Sequence, residues 1–312
     1  MDILVSGSMA YDRVMDFPGR FSDHIMADKL DMINVSFTVN GLKENLGGTA
    51  GNIAYVLSLL GETPRILATM GHDYHQYFRW LEQKGISTGD IRIIPEELTA
   101  SAYITTDEGD NQITGFNPGA MKYPSLCDLT KARPADCMAI AAPGNLQDMA
   151  DYVTTYQENG VFCIFDPGQS LPIWDSAELA ATISKASMLI SNDYEFGLIK
   201  NATGLSEDQL LESVDTIVTT KAELGCDVTT AAGKLTVPVV PTPGAVDPTG
   251  AGDAFRGGLI KGLLEGNSVE RAAQMGTVCS HFAVQTYGTQ EYSFTIDEFN
   301  ATLENHFGKG GD

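Results

Sequence analysis

Short apolar runs that recur between segments of helical periodicity constrain this chain more than any other feature. Arg65–Met70, Cys137–Ala141, Val161–Phe165, Met188–Ser191 and Thr216–Thr220 each read as a short β-strand. Most are separated by segments with 3.6-residue apolar spacing, such as a helix predicted from about Asp73 to Lys84 and stopped by Gly85. Strands that alternate with helices imply an α/β fold: a mostly parallel central sheet flanked by helices, with right-handed crossovers. With 312 residues, the length prior points to two domains, yet single α/β domains of this size are common. A hydrophobic fraction of 43% supplies a sizeable core.

Two insertions break the alternation. Residues 11–43 are polar and irregular, without a clear helix. Residues 91–120 read as strands, and Ser101–Thr106 and Gln112–Phe116 flank the turn signal Asp107-Glu108-Gly109-Asp110-Asn111, which predicts a hairpin. Together the insertions are expected to form a small β-rich lid, the alternative being a decorative surface hairpin. Ligands of open α/β sheets bind at the carboxyl ends of the strands, where a lid has a use. The residues from Gly308 to Asp312 read as a frayed tail.

Charge narrows the function classes. Lys and Arg total 19 against 41 Asp and Glu, a net charge of −22. Such a field repels nucleic acid and anionic membranes, so neither is an expected partner, and a phosphorylated ligand must be held by local dipoles and a metal ion rather than by a basic surface. No apolar run reaches the roughly 20 residues that span a bilayer. The start shows no basic region followed by a long apolar stretch, and the five Cys form no CxxC pair, so reduced thiols in a cytoplasmic protein are expected. Cys163 reads as a buried structural thiol. His72 and His75 lack a third ligand and are set aside as a metal site.

The most informative stretch is Asp247-Pro248-Thr249-Gly250-Ala251-Gly252-Asp253. A β-type run, Thr236–Val240, precedes it. Phe255, Leu259 and Leu263 then mark a helix that Gly266 stops. With almost no side chains at Gly250, Ala251 and Gly252, backbone N–H groups at the helix start form an anion site that needs no Lys or Arg. Asp253 has two readings of equal weight: an N-cap, or a base that takes a proton from an attacking hydroxyl. No GxxxxGK[ST] occurs, and Phe255 breaks a GxGxxG pattern.

These residues resemble the C-terminal signature of the ribokinase-like, phosphofructokinase-B type carbohydrate and nucleoside kinases, with Asp-Pro-Thr where the family has Asp-Thr-x. Leu46-Gly47-Gly48-Thr49-Ala50-Gly51-Asn52, before an apolar helix at Ile53, Val56, Leu57 and Leu60, is similar to the family's N-terminal signature. The resemblance implies a three-layer fold in a single domain over residues 1–312. It also implies ATP-dependent transfer of the γ-phosphate to an alcohol, with Asp253 and the turn at Gly250, Ala251 and Gly252 carrying the chemistry. By the same resemblance Gly47, Gly48 and Asn52 contact the sugar, Asp12 accepts bonds from a vicinal diol, and Ser8 in the turn after the first strand joins them. Asn192-Asp193-Tyr194-Glu195 matches the family's N-x-x-E element, which organises Mg²⁺ and phosphate through water. It also reads as a capping box, and both readings can hold. Thr219–Gly225 is similar to the nucleotide turn, with Thr220 and Gly225 matching and Ala222 in place of a glycine. Relatives hold a monovalent cation such as K⁺ near the positions of Asp247 and Thr249. Gly71-His72-Asp73 matches a short family turn in which Asp73 reads as a helix cap.

Two segments resemble microbial adenosine and nucleoside kinases: Asp110–Met121, in which Gln112 is a substrate-binding candidate, and Tyr287–Tyr292. The lid hairpin also supplies Ile113 and Phe116 as apolar groups to cover a base, the alternative being that they face the lid's own small core. The expectation is therefore an adenosine kinase of purine salvage that yields AMP and ADP, as a monomer or homodimer. A sugar kinase on the same scaffold is the nearest alternative, and a non-catalytic nucleotide-binding protein the next.

Overall fold

The computed structural model describes residues 1–25, 35–109, 111–130, 132–133 and 136–309. Asp110 of the predicted lid turn, residues 26–34 of the first insertion and Gly310–Asp312 of the predicted tail lie outside the described residues. The chain runs β1 (Asp2–Ser6), β2 (Ala10–Asp16), β3 (Asn40–Gly47), α1 (Thr49–Leu59), β4 (Arg65–Gly71), α2 (His75–Gln83), β5 (Ile91–Ile94), β6 (Ala100–Thr106) and β7 (Gln112–Asn117). It continues through β8 (Cys137–Ala141), α3 (Leu146–Glu158), β9 (Cys163–Phe165), α4 (Ser176–Ile183), β10 (Met188–Asn192), α5 (Asp193–Thr203), α6 (Glu207–Leu211) and β11 (Thr216–Thr220). The last elements are β12 (Cys226–Thr230), β13 (Gly233–Val237), α7 (Ala251–Leu264), α8 (Val269–Ala283) and α9 (Ile296–Phe307).

One sheet has the order β13-β12-β11-β10-β9-β8-β1-β4-β5 and is parallel from β11 to β5. Strands β12 and β13 close it with antiparallel pairings. Strand side chains alternate between faces, so Ile3 and Val5 pack under α1, α7 and α8, while Leu4 packs with α3 to α6 on the other side. This is the three-layer arrangement that the sequence resemblance implies. Helix α1 is buried from Thr49 to Leu57, which accounts for its uncharged sequence.

The second sheet, β3-β2-β6-β7, stands over the carboxyl ends of the first and corrects the reading of residues 11–43 as irregular. Strands β2 and β3 pair antiparallel there. The usual apolar alternation is hidden in β2 because its two faces carry Asp12 and Arg13, and Arg13 is satisfied by Glu44, Ser101 and Tyr103. The hairpin of β6 and β7 forms as predicted. Register places Asp12 opposite Ala102, and Ala102 opposite Phe116. Asp12 and Phe116 therefore share a face, while Ile113 lies on the other, which corrects the pairing of Ile113 with Phe116 over one base. Strand β13 ends before Pro238, short of the predicted Val240, because proline has no N–H for the ladder. Helix α2 starts two residues later than predicted. Asp73 does not cap it: Asp73 Oδ1 accepts the Thr99 N–H at 2.8 Å and the Thr99 hydroxyl at 2.6 Å, and so holds the start of β6.

Candidate active site

A cleft of about 650 Å³ opens at the carboxyl ends of the parallel strands. Asp166 after β9, Asn192 at the end of β10 and Thr220 at the end of β11 line one wall; the N-terminus of α7 faces them. Parallel strands end together on one side, so residues far apart in sequence meet there.

Gly250 caps α7 at φ +78°, and a Cβ there would stand 2.9 Å from Thr289 Cγ2, so the position requires glycine. The first bond within the helix runs from Ala254 N–H to the Gly250 carbonyl. The Ala251 N–H is engaged by the Pro248 carbonyl at 3.1 Å, which narrows the expected set of free donors. Among the described residues no protein acceptor faces the Gly252 and Asp253 amides, which sit at the positive end of the helix dipole. Asp253 is the third residue of α7, not its N-cap. Its Oδ2 accepts the Asn52 Nδ2–H at 2.8 Å.

Burial pushes the Asp253 carboxyl up to about 6; Arg256 and the Asn52 bond pull it down, and Asp166 and Asp12 push it further up. It still borders the cleft, so it is enclosed by protein yet open to a ligand. Arg256 was missed in the sequence, where an anion site without Lys or Arg was expected. It is 7% exposed, its Nε is bonded to Asp166 Oδ2, and its Nη1 donates to the Gly252 carbonyl at 2.9 Å. A cation is thus held directly beneath the anion turn of a chain with net charge −22. The available signal was a charged residue set in the small, apolar run Ala254-Phe255-Arg256-Gly257-Gly258. Asp166 was also missed. Its Oδ1 is buried without a hydrogen-bond partner among the described residues.

Asn192 and Glu195 form the capping box of α5: Asn192 Oδ1 accepts the Glu195 N–H at 2.7 Å, and Glu195 Oε2 accepts the Asn192 N–H at 2.8 Å. Both also border the cleft. Burial raises the Glu195 carboxyl, and the charge of Asp166 adds to it. Thr220 and Gly225 lie on the same wall. Ala222 takes φ +47°, so the turn keeps a left-handed residue without a glycine.

Asp12 and the paired glycines meet on the side of Asp253 nearest the second sheet. A Cβ at Gly47 would lie 2.6 Å from Asp12 Oδ2, and one at Gly48, where φ is +90°, would lie 2.5 Å from the Ser8 carbonyl oxygen. Burial, then the charge of Asp247, raises the Asp12 carboxyl. Asp247 accepts the Thr249 N–H at 2.9 Å and the Gly288 N–H at 3.0 Å. Burial opposes its ionisation, but these donors outweigh it and the carboxyl ends below its usual range. Ser8 is placed differently from the expectation. Its Oγ accepts the Thr49 N–H at 3.0 Å and tethers the turn after β1 to α1, a structural bond rather than an open donor on the cleft. Gln112 and Phe116 stay on β7 of the second sheet, outside the cleft; Phe116 is 50% exposed and Gln112 lies 3.5 Å from Thr106 Oγ1.

The profile of the pfkB family carbohydrate kinases matches residues 8–296. The chain belongs to that family. Its members are phosphotransferases with an alcohol as acceptor. The structure of Burkholderia thailandensis nucleoside kinase in complex with inosine superposes with a TM-score of 0.88 at 37% identity, covering 99% of both chains. The nucleoside kinase of Methanocaldococcus jannaschii is 30% identical over 89% of this chain and 92% of its own. The crystal structure of that enzyme, described as an archaeal member of the ribokinase family, gives a TM-score of 0.84 over 98% of each chain at 27% identity. No helix among the described residues is long and apolar enough to cross a membrane.

Proposed function

We propose that this family member is an ATP-dependent nucleoside kinase that phosphorylates the ribose 5′-hydroxyl, with adenosine as the first substrate to test. The observation that carries the reading is Asp253: one carboxylate beside an amide-rich helix start, held by Asn52 and facing Asp12 across the site. Support comes from the Burkholderia thailandensis enzyme, whose structures include one in complex with ADP-inosine at 38% identity. Three archaeal relatives at 26–30% identity are also named nucleoside kinases.

In this reading the γ-phosphate of ATP lies against the Gly252 and Asp253 amides, with Arg256 below. Asp12 accepts hydrogen bonds from the ribose diol, and Asn52 holds the Asp253 carboxylate from the side away from the cleft. The substrate oxygen attacks the γ-phosphorus as the bond to the β-phosphate oxygen breaks. ADP leaves, and the hydroxyl proton passes to Asp253. With its carboxyl at about 6, Asp253 is mostly ionised at pH 7 and ready to accept that proton. Thr220, Ala222 and Gly225 lie along the nucleotide.

Oxygen donors suit Mg²⁺, and the orphaned Asp166 Oδ1 beside Glu195 fits a water-ringed cation. Asn192, Glu195 and Asp166 would hold it, and it would neutralise charge on the phosphates. Asp247 and Thr249 are the proposed K⁺ position. Strands β2, β3, β6 and β7 act as the lid, and Phe116 closes over the base.

A panel of adenosine, inosine, guanosine, cytidine, uridine, ribose and fructose, each with ATP and with the product identified, tests the reading. A 5′-monophosphate formed from adenosine, with free sugars inert, is expected. Turnover of free sugars in preference to every nucleoside would overturn it.

A further inference from the structure

A buried chain of hydrogen bonds runs from Asp253 away from the cleft. Asn52 Nδ2 donates to Asp253 Oδ2 at 2.8 Å, and Gln290 Nε2 donates to Asn52 Oδ1 at 3.0 Å. Gln290 is 2% exposed and makes two further bonds. Its Oε1 accepts the Trp80 indole N–H at 2.9 Å, and its Nε2 donates to the Tyr77 hydroxyl oxygen at 2.6 Å. Tyr77 in turn donates to the Gly47 carbonyl at 2.8 Å.

The chemistry of the two outer groups sets the direction of the chain. An indole N–H can only donate, so the Gln290 oxygen must face Trp80. A backbone carbonyl can only accept, so the Tyr77 proton goes to Gly47 and its oxygen is left to accept from Gln290. Both constraints turn the Gln290 nitrogen towards Asn52. With both Nε2 protons engaged, Asn52 must present its oxygen to Gln290 and its N–H₂ to Asp253. Helix α1 makes room for this with Gly51, where a Cβ would fall 1.9 Å from Tyr77 Oη.

We propose that Gln290, pinned by Trp80 and Tyr77, is a positioning residue for phosphoryl transfer: it fixes Asn52 so that a donor, and not a carbonyl oxygen, faces the Asp253 carboxylate. The inference rests on the catalytic reading of Asp253. Without the relay Asn52 can rotate and present its oxygen, and the carboxylate loses a charge-assisted bond and faces an acceptor. The other charged or titratable groups acting on Asp253 are Arg256 on its own helix, Asp166 after β9, Asp12 on β2, Tyr77 on α2 and Tyr292. Gln290→Met leaves all of them in place.

The test compares wild type, Gln290→Met, Trp80→Phe, Tyr77→Phe and the double variant Trp80→Phe/Tyr77→Phe. The pH profile of kcat/KM for adenosine with ATP is measured, together with the titration of the Asp253 carboxyl by carbon-detected NMR without substrates. In Gln290→Met both the acid limb and the carboxyl titration move up by about one pH unit. Transfer then falls about fivefold at pH 6 and recovers above pH 8.5, while KM for adenosine stays within about threefold of wild type. Each single pin variant moves them by less than about 0.3 units, because the other pin still orients Gln290, and the double variant approaches the shift of Gln290→Met. Should Gln290→Met fold poorly, the pin variants carry the test alone. An unmoved carboxyl titration, or a loss of activity equal at all pH values, overturns the relay. A moved titration with an unmoved acid limb leaves the orientation intact but removes Gln290 from the reaction. Asp253→Asn with wild-type turnover shows instead that the catalytic reading itself has failed.

Discussion

Replacing Asp253 with Asn should make the protein inactive and more stable at the same time. The fold holds this carboxyl at about 6 against its ordinary 3.8, chiefly because burial disfavours the charge. A group raised in the folded state stabilises most below its unfolded value, and that contribution is lost as pH rises through the folded one. At 1.36 kcal/mol for each pH unit of the rise, the ionised side chain costs about 3 kcal/mol of folding stability above pH 7. The amide replacement keeps an oxygen for the Asn52 N–H and carries no charge. Asp253→Asn should therefore gain about 3 kcal/mol at pH 8 and about 1.5 kcal/mol at pH 5, with no gain once the pH falls below the unfolded value. For a chain of 312 residues the gain at pH 8 corresponds to a Tm higher by roughly 4–5 °C. Denaturant titrations of both proteins at the two pH values, with kcat measured on the same preparations, make the assay. Loss of the base should lower kcat by about 10²–10⁴-fold. Equal stability at pH 8, or a gain that does not shrink at pH 5, would show that the carboxylate is not held against its solvation, and near-normal kcat would remove its role as base.

Asp12→Ala should raise KM for the nucleoside by about tenfold or more, since a carboxylate that accepts two hydroxyl bonds is lost; an unchanged kcat/KM in steady-state assays would refute its place at the diol. Phe116→Ala should raise KM for the nucleoside severalfold and Ile113→Ala should leave it unchanged, because only Phe116 shares the Asp12 face of the sheet; equal effects in the same kinetic assay would contradict the register argument. Ala222→Gly should stabilise the chain by up to about 1 kcal/mol, the left-handed strain at φ +47° being partly offset by glycine's unfolded-state entropy, and a lower denaturation midpoint would count against that strain. Excess chelator should abolish transfer and added Mg²⁺ should restore it, read as ADP formed; activity that persists with chelator would count against a cation at Asn192, Glu195 and Asp166.

Much of the fold was legible because short strands between helices leave few alternatives, and the bounds of β8 and β11 coincide with the predicted runs. Strand β2 was not, because Arg13 owes its tolerance to partners from β3 and β6 that no local pattern shows. The site divides the same way. Asp253, Gly250, Gly252 and Asn52 lie in two compact glycine-rich segments whose spacing can be read directly. Arg256 and Asp166 meet across 90 positions and Gln290 and Asn52 across 238, so their pairing exists only once the sheet has brought its carboxyl ends together. Ser8 illustrates the converse: a polar residue beside the motifs holds the backbone, because its hydroxyl lies against the Thr49 amide and hydroxyl.

The segment from Tyr287 to Tyr292 stitches the two lips of the site together at their base. Gly288 grips Asp247, Thr289 bonds the Leu46 carbonyl at 2.9 Å, Gln290 holds Asn52, and the Tyr292 carbonyl accepts the Tyr55 hydroxyl. A seam of this kind leaves no hinge between the phosphate turn and the glycine pair. In the proposed lid motion, then, the strands of the second sheet beyond this seam admit substrates and free products, while Asn52 and the phosphate turn keep their spacing.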